Sequence, residues 1–232
     1  MNTQLQRVLV VYPAEFADYR LFCAKLGQLD SSLSSYLVVS PADPRAFLQR
    51  FFGERAELTK EQIAHRRQRE SLVRTCTHVI VFWDGSEALG EFVFFGHLYH
   101  RKSWVIPIET TRVVNKDSGD EFDVYIGRRG PWGNPFVIGV DGTREDVIDK
   151  YKEYFQRVFL GDDEKRKWLL GLKGKRLGCH CKPAACHGDV IAEYLNTVQI
   201  AGESVTNEPD RQPELVFSDQ GRSGPREVGQ DA

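Results

Sequence analysis

Apolar residues follow two rhythms along the first half of the chain. Four near-continuous runs, at 7–12 (RVLVVY), 36–40 (YLVVS), 78–83 (HVIVFW) and 103–108, have the length and β-branched content of strands buried on both faces. Between them, apolar residues recur every three or four positions. This predicts a helix with Phe16, Tyr19, Phe22, Cys23 and Leu26 on one face. A short helix is predicted over 43–52, capped by Asp43 with Pro44 at its first position. A polar helix over 60–75 carries His65, Arg66, Arg67, Arg69 and Arg74, and another helix spans 87–101. Strand–helix alternation predicts a Rossmann-like α/β domain with a parallel sheet over residues 1–114. Ligands of such folds bind at the carboxyl ends of the strands, where Asp84, Gly85 and Ser86 fall.

The polar stretch 115–123 (NKDSGDEFD) is the predicted domain boundary. A small α+β unit is expected over 124–199. It begins with a short strand at 124–126 and a Gly/Pro/Arg loop over 127–136. Thr143 then caps a helix, with Asp146 completing a capping-box pattern. Val147, Ile148, Tyr151, Tyr154, Phe155, Val158 and Phe159 form its apolar stripe. A second helix at 163–172 is expected to bury Trp168 and Leu169. A short strand then leads into residues 178–190, and a helix at 188–196 closes the unit. Residues 200–232 are poor in apolar side chains and rich in Ser, Gly, Pro, Glu and Asp, which predicts a disordered acidic tail.

Composition narrows the picture little: 41% hydrophobic and 28% charged is ordinary for a globular chain. The net charge of −2 excludes a generally basic nucleic-acid binder, but it hides an asymmetry. Residues 124–198 hold 13 Lys+Arg against 10 Asp+Glu, whereas 201–232 hold 3 against 7, so an acidic end masks a mildly basic domain. No apolar run is long enough to span a membrane and the N-terminus lacks a signal-peptide pattern, so the expected location is the cytoplasm. Cysteines stay reduced there, and an odd count of 5 also argues against a disulfide framework.

The densest chemistry lies at 178–190 (GCHCKPAACHGDV), which holds Cys179, His180, Cys181, Cys186 and His187. One reading is a metal site, with zinc held by Cys179, Cys181, Cys186 and either His180 or His187 around a tight 182–185 turn. Another is a nucleophilic thiol, Cys186 or Cys181, activated by a neighbouring histidine and a helix N-terminus that favours a thiolate. The third is plain packing of reduced cysteines. Metal and catalysis are compatible, because a three-ligand ion keeps a position for substrate. In the 127–136 loop, Arg128 and Arg129 offer bidentate contacts to phosphate or carboxylate and Trp132 offers a stacking face. The alternative for that loop is a surface turn with Trp132 in the core.

The first unit resembles the Rossmann-like superfamily that includes cytokinin-activating phosphoribohydrolases, the DNA-processing protein DprA and small nucleotide-binding proteins. The likeness rests on Arg66-x2-Arg69-Glu70 ahead of a strand and on Phe82-Trp83-Asp84-Gly85-Ser86. Two phosphate-cradling glycine loops of that superfamily are replaced, by Tyr12-Pro13-Ala14-Glu15 and by Ser40-Pro41-Ala42-Asp43. Phe94 stands where related deoxyribosyltransferases place a catalytic glutamate.

The second unit resembles a small bacterial and phage domain family. The carriers are Tyr125-Ile-Gly-Arg, Gly133-Asn-Pro-Phe, Gly142-Thr-Arg-Glu and Leu177-Gly-Cys-His-Cys-Lys-Pro-x2-Cys-His-Gly-Asp189. With the nucleotide-fold domain in front, the whole resembles the DpdC-like proteins of bacterial deazaguanine DNA-modification systems. That resemblance implies an enzyme that hydrates the nitrile of cyano-deazaguanine in DNA to a carboxamide. It implies Cys186, His187 and Asp189 as catalytic residues, with Arg128, Arg129, Trp132 and Asn134 holding the base or its phosphate. DNA containing a modified guanine and other proteins of the same system are the implied partners. The rival expectations are a nucleotide-binding sensor or N-glycosidase centred on Asp84–Ser86 with a structural zinc clip, and a non-catalytic DNA adaptor.

Overall fold

The computed structural model describes residues 6–30, 36–58 and 63–198. The predicted tail and residues 60–62 of the predicted 60–75 helix lie outside the described residues; residues 63–65 are not helical, and His65, in an extended conformation, is the N-cap of a helix that begins at Arg66.

Strands β1 (Gln6–Val11), β2 (Tyr36–Ser40), β3 (Ala56–Leu58), β4 (His78–Trp83) and β5 (Lys102–Pro107) form one parallel sheet in the order β3-β2-β1-β4-β5. Helices α1 (Tyr19–Asp30), α2 (Phe47–Phe52), α3 (Arg66–Arg74) and α4 (Glu87–Leu98) connect the strands. Successive strand residues point to opposite faces, which is why the strands read as unbroken apolar runs. Val8, Val10, Ile80 and Phe82 pack with Tyr12, Phe16, Phe22, Phe47 and Leu48 on one face. Leu9, Val11, Val79 and Val81 pack with Leu72, Val73, Phe92 and Phe95 on the other.

Asp43 does cap α2, accepting from Leu48 N at 3.1 Å and Gln49 N at 2.9 Å, but the helix begins only at Phe47. Ala46 adopts a left-handed φ of 55°, which interrupts the predicted helix and leaves Pro44 outside it. The edge strand β3 was not foreseen, being three residues long.

The second sheet is also parallel, in the order β6-β8-β7, from β6 (Arg112–Asn115), β7 (Val124–Tyr125) and β8 (Arg176–Cys179). β6 precedes the boundary expected at 115–123, so the remainder of that polar stretch is a connection inside the second unit. Helix α5 (Arg144–Phe155) continues into a π-helical turn, Gln156–Leu160, and is followed by α6 (Asp163–Leu170) and α7 (His187–Thr197). The Thr143–Asp146 capping box is present. Ile126, Trp132, Tyr151, Phe155, Phe159, Leu169, Leu177 and Ile191 form the core with Cys179 and Cys186. Leu169 is buried as expected, but the Trp168 side chain is 63% exposed, because its neighbour on the helix takes the inward position. Among the described residues, no helix is long and apolar enough to cross a membrane.

Candidate metal centre

Cys179 ends the central strand β8, and Cys186 is the N-cap of α7. Three local features fix the segment between them. Ala184 N donates to the Cys181 carbonyl at 2.9 Å, closing the turn, and Asn115 Nδ2 donates to the Lys182 carbonyl at 2.6 Å. Gly188 in the first turn of α7 seats against the sheet. A Cβ there would lie 2.4 Å from Ile126 Cδ1 and 3.0 Å from Val113 Cγ2. The absent side chain is what lets α7 bring Cys186 and His187 against the end of β8.

The result is a convergence of soft donors. Ligand atoms of Cys179, Cys186 and His187, all buried, lie within 4.8 Å of one another. Cys181 Sγ is 3.6 Å from Cys179 Sγ, and His187 Nδ1 is 3.6 Å from Cys186 Sγ. Tetrahedral zinc with Zn–S bonds of about 2.3 Å has ligand–ligand edges of about 3.7 Å, close to both separations. The mutually close donors are two sulfurs and an imidazole, soft ligands that suit a zinc-class ion; Cys181, expected as a ligand, lies against Cys179 but outside that group. His187 Nε2 lies 2.8 Å from the Ile126 carbonyl. A carbonyl only accepts, so Nε2 carries the proton and Nδ1 turns its lone pair to the sulfurs.

Electrostatics agree with this geometry. Burial holds the His187 imidazole below its usual range, which keeps it neutral. Hydrogen bonds from Cys179 and Cys186 favour a thiolate on Cys181, with Arg144 adding to the effect. The contact with Cys181 pushes the Cys179 thiol up, and contacts with Cys179 and Cys181 push the Cys186 thiol up. Gly188 N donates to Cys186 Sγ at 3.3 Å, the usual N-cap role of an oxygen taken by sulfur.

The cluster opens into a cleft of about 730 Å³. Lys116, Arg128, Arg129 and Arg144 line it, without a carboxylate, beside the apolar surfaces of Phe136, Ile138, Val147 and Ile148. The cleft thus sets a cationic edge beside an apolar wall.

Several expected roles change. His180 is not offered to the sulfurs. Its Nδ1 donates to Asp117 Oδ2 at 2.6 Å and its Nε2 faces the Tyr125 hydroxyl at 3.3 Å. That hydrogen bond, more than Lys116, holds the Asp117 carboxyl below its ordinary range. Asp189 does not touch the His187 ring. It accepts from Cys186 N at 2.9 Å and pairs with Lys182 Nζ at 2.6 Å, so it positions the helix end rather than moving protons. Trp132 is buried against Phe159 and Trp168, outside the cleft wall, and serves as core rather than as a stacking face. Asn134 lines the cleft, but its amide bonds Val147 O and Phe136 N and so shapes the loop. Arg128 and Arg129 line the cleft as expected. Arg144, first residue of α5, was missed as a site residue; it donates to Ala185 O at 3.1 Å and reaches Cys181. Its only sequence signal was its place in Gly142-Thr-Arg-Glu.

The fold and site define a two-part protein, a SLOG-like α/β domain followed by a Cys/His domain. Residues 5–114 match the family model of the minimal SLOG domain, and residues 110–197 match that of a domain of unknown function, DUF4326. The chain belongs to the DUF4326 family. It is 46% identical over 86 residues to an uncharacterized 12.4 kDa protein from the nrdA-td intergenic region of Enterobacteria phage T4, which covers 37% of this chain and 77% of that protein. It is 30% identical over 95 residues to an uncharacterized protein, R718, of Acanthamoeba polyphaga mimivirus, covering 33% of this chain and 69% of that protein. No solved structure gives a significant match.

Proposed function

We propose that the Cys/His domain is a DpdC-like enzyme centre that adds water to the nitrile of cyano-deazaguanine in DNA, giving the carboxamide. The observation that carries this reading is the placement of three sulfurs and His187 in the wall of a cleft lined by four cations and no carboxylate. Cys179, Cys186 and His187, with Cys181 alongside, are the residues that would hold a zinc-class ion. Such an ion supplies a Lewis acid for the nitrile nitrogen and a more acidic water. Arg128, Arg129, Arg144 and Lys116 hold the flanking phosphates. Phe136, Ile138, Val147 and Ile148 take the faces of the base. Ile126 O fixes the tautomer of His187, and Asp189 fixes the end of α7. The reaction balances simply: one water adds across C≡N, oxygen to carbon and both protons ending on nitrogen, with no redox change.

The lone pair of His187 Nδ1 facing Cys186 Sγ supports a second chemical route. Cys186 sulfur adds to the nitrile carbon and a proton goes to nitrogen. Water then adds to the thioimidate carbon, and the thiolate leaves as the amide forms.

The test is mass spectrometry of nucleosides from cyano-deazaguanine DNA incubated with the full chain. A gain of one water on the base is the expected result. An unchanged base with folded, metal-loaded protein would overturn the proposal. Metal analysis of the same sample separates the two routes.

A further inference from the structure

Beside the cleft the chain builds a turn over residues 137–142 and holds it tightly. The Val137 carbonyl accepts from Val140 N at 3.1 Å and Asp141 N at 2.8 Å, and Gly139 N donates to Gly142 O at 2.8 Å. The Asp141 carboxylate accepts from Val137 N at 2.6 Å, and Lys150 Nζ donates to the Asp141 carbonyl. Gly139 and Gly142 take φ of 84° and 137°, which side chains avoid, so the turn shape depends on them.

This framework points two apolar side chains at solvent. Val140 at the tip is 81% exposed, and Ile138, at 46%, lines the cleft. A loose loop could fold a valine back onto the protein; this one is hydrogen-bonded into holding it out. A single exposed valine is unremarkable by itself. Its context is what matters: Ile138, two residues before it in the same turn, lines a cleft whose charged lining is cationic.

We infer that Val140, backed by Ile138, is a wedge that enters the base stack of duplex DNA as the target base swings into the cleft. Flipping a base leaves a gap between its neighbours, and an apolar side chain filling that gap offsets the lost stacking. Lys116, Arg128, Arg129 and Arg144 supply the charge complementarity that places a phosphate backbone there. The inference rests on the base-modifying reading and deepens it: the substrate is duplex, and the turn is its opener. A single strand has no stack to hold open and needs no wedge.

Two readouts test this on the full chain. The first is turnover of cyano-deazaguanine in a duplex against the same strand unpaired. The second is fluorescence, on protein binding, of a duplex with 2-aminopurine next to the target position. Val140→Ser should lower the duplex-to-single-strand turnover ratio at least about tenfold and abolish the fluorescence rise, and Val140→Leu should restore both. A ratio and fluorescence rise unchanged by Val140→Ser overturn the wedge while leaving nitrile hydration standing. If the wild type raises fluorescence in a Val140-dependent way yet converts neither substrate, the wedge stands and the hydration reading falls. A wild type that only processes single strands, with no fluorescence change on duplex, removes the wedge.

Discussion

Both sheets of this protein are parallel, and both end their central strands toward a site, but they use those ends differently. At the carboxyl end of β1 and β4, where an open α/β sheet would take a ligand, every prominent polar group has a protein partner. The Tyr12 hydroxyl donates to Asp43, and its ring stacks on Phe47. Asp84 accepts from Ser86 N and faces Arg112 at 3.6 Å. Arg45 holds Glu193 of α7 through two contacts of 2.7 Å. Glycine loops that would have left room for phosphate are absent. At the end of β8 cations and thiols also have partners, Lys116 with Asp117, Arg128 with Phe136 O and Arg144 with Ala185 O, but they border an open cleft. The lesson is that the first domain packs against α7 through Arg45 and Glu193, while the Cys/His cluster and its cleft lie on the smaller sheet.

The contrast can be broken from either side. The largest expected effect is Cys186→Ala, which removes a sulfur from the cluster. Metal content should fall from one ion per chain toward none, and turnover should drop by more than the about 100-fold upper range typical of outer-shell partners. A folded, fully active variant would place the chemistry elsewhere.

Gly188→Ala comes next. The added Cβ meets Ile126 2.4 Å away, so α7 must shift or Ile126 must give. Overpacking of this kind costs about 1–3 kcal/mol, read as a lower unfolding midpoint together with weaker metal retention.

Arg128→Ala should weaken DNA binding by about tenfold and reduce the salt dependence by about one phosphate contact. The same test on Arg69, paired with Glu91 at 2.6 Å in the first domain, should leave DNA binding unchanged. That pairing of results is the sharpest statement of the difference between the two sheet ends.

Glu193→Gln probes the platform. The pair with Arg45 is partly exposed, at 25% and 53%, so its loss should cost about 0.2–1 kcal/mol in chemical denaturation. Metal content should not change.

The smallest effect concerns pH. Side-chain and backbone hydrogen bonds from Arg176 hold Asp123 down to about 2, below its ordinary value of 3.8. A depressed carboxylate contributes stability that is complete above its unfolded value and is lost as pH falls through the folded one. The contribution of Asp123 should therefore disappear between about pH 4 and pH 2, and Asp123→Asn should flatten that segment of the stability curve. The pair lies at the surface, where solvent screens it, so the change should be slight.

Much of this was legible in the sequence where local pattern decides. β2 and β4 follow their apolar runs residue for residue, and the Thr143 capping box announces α5. The convergence of Cys179, Cys186 and His187 was foreshadowed by density alone. What failed depended on distant partners. β6 is a strand because it pairs with β8, some 60 residues on, and its half-buried residues carry no strong period. His180 was a plausible ligand until Asp117 and Tyr125, both remote in sequence, took its two nitrogens. Trp132 looked like a binding face because loops with Gly, Pro and Arg often carry function, yet Phe159 and Trp168 enclose it. Arg144 was hidden by its role at a helix start.

X-ray absorption at the metal edge of the purified full chain, alongside thiol titration, tests the convergence most directly. The account predicts one zinc-class ion per chain with sulfur-dominated ligation and one imidazole nitrogen, and protected thiols at Cys179, Cys181 and Cys186. A folded protein that binds no metal when zinc is supplied, with those three thiols reacting independently, would contradict it.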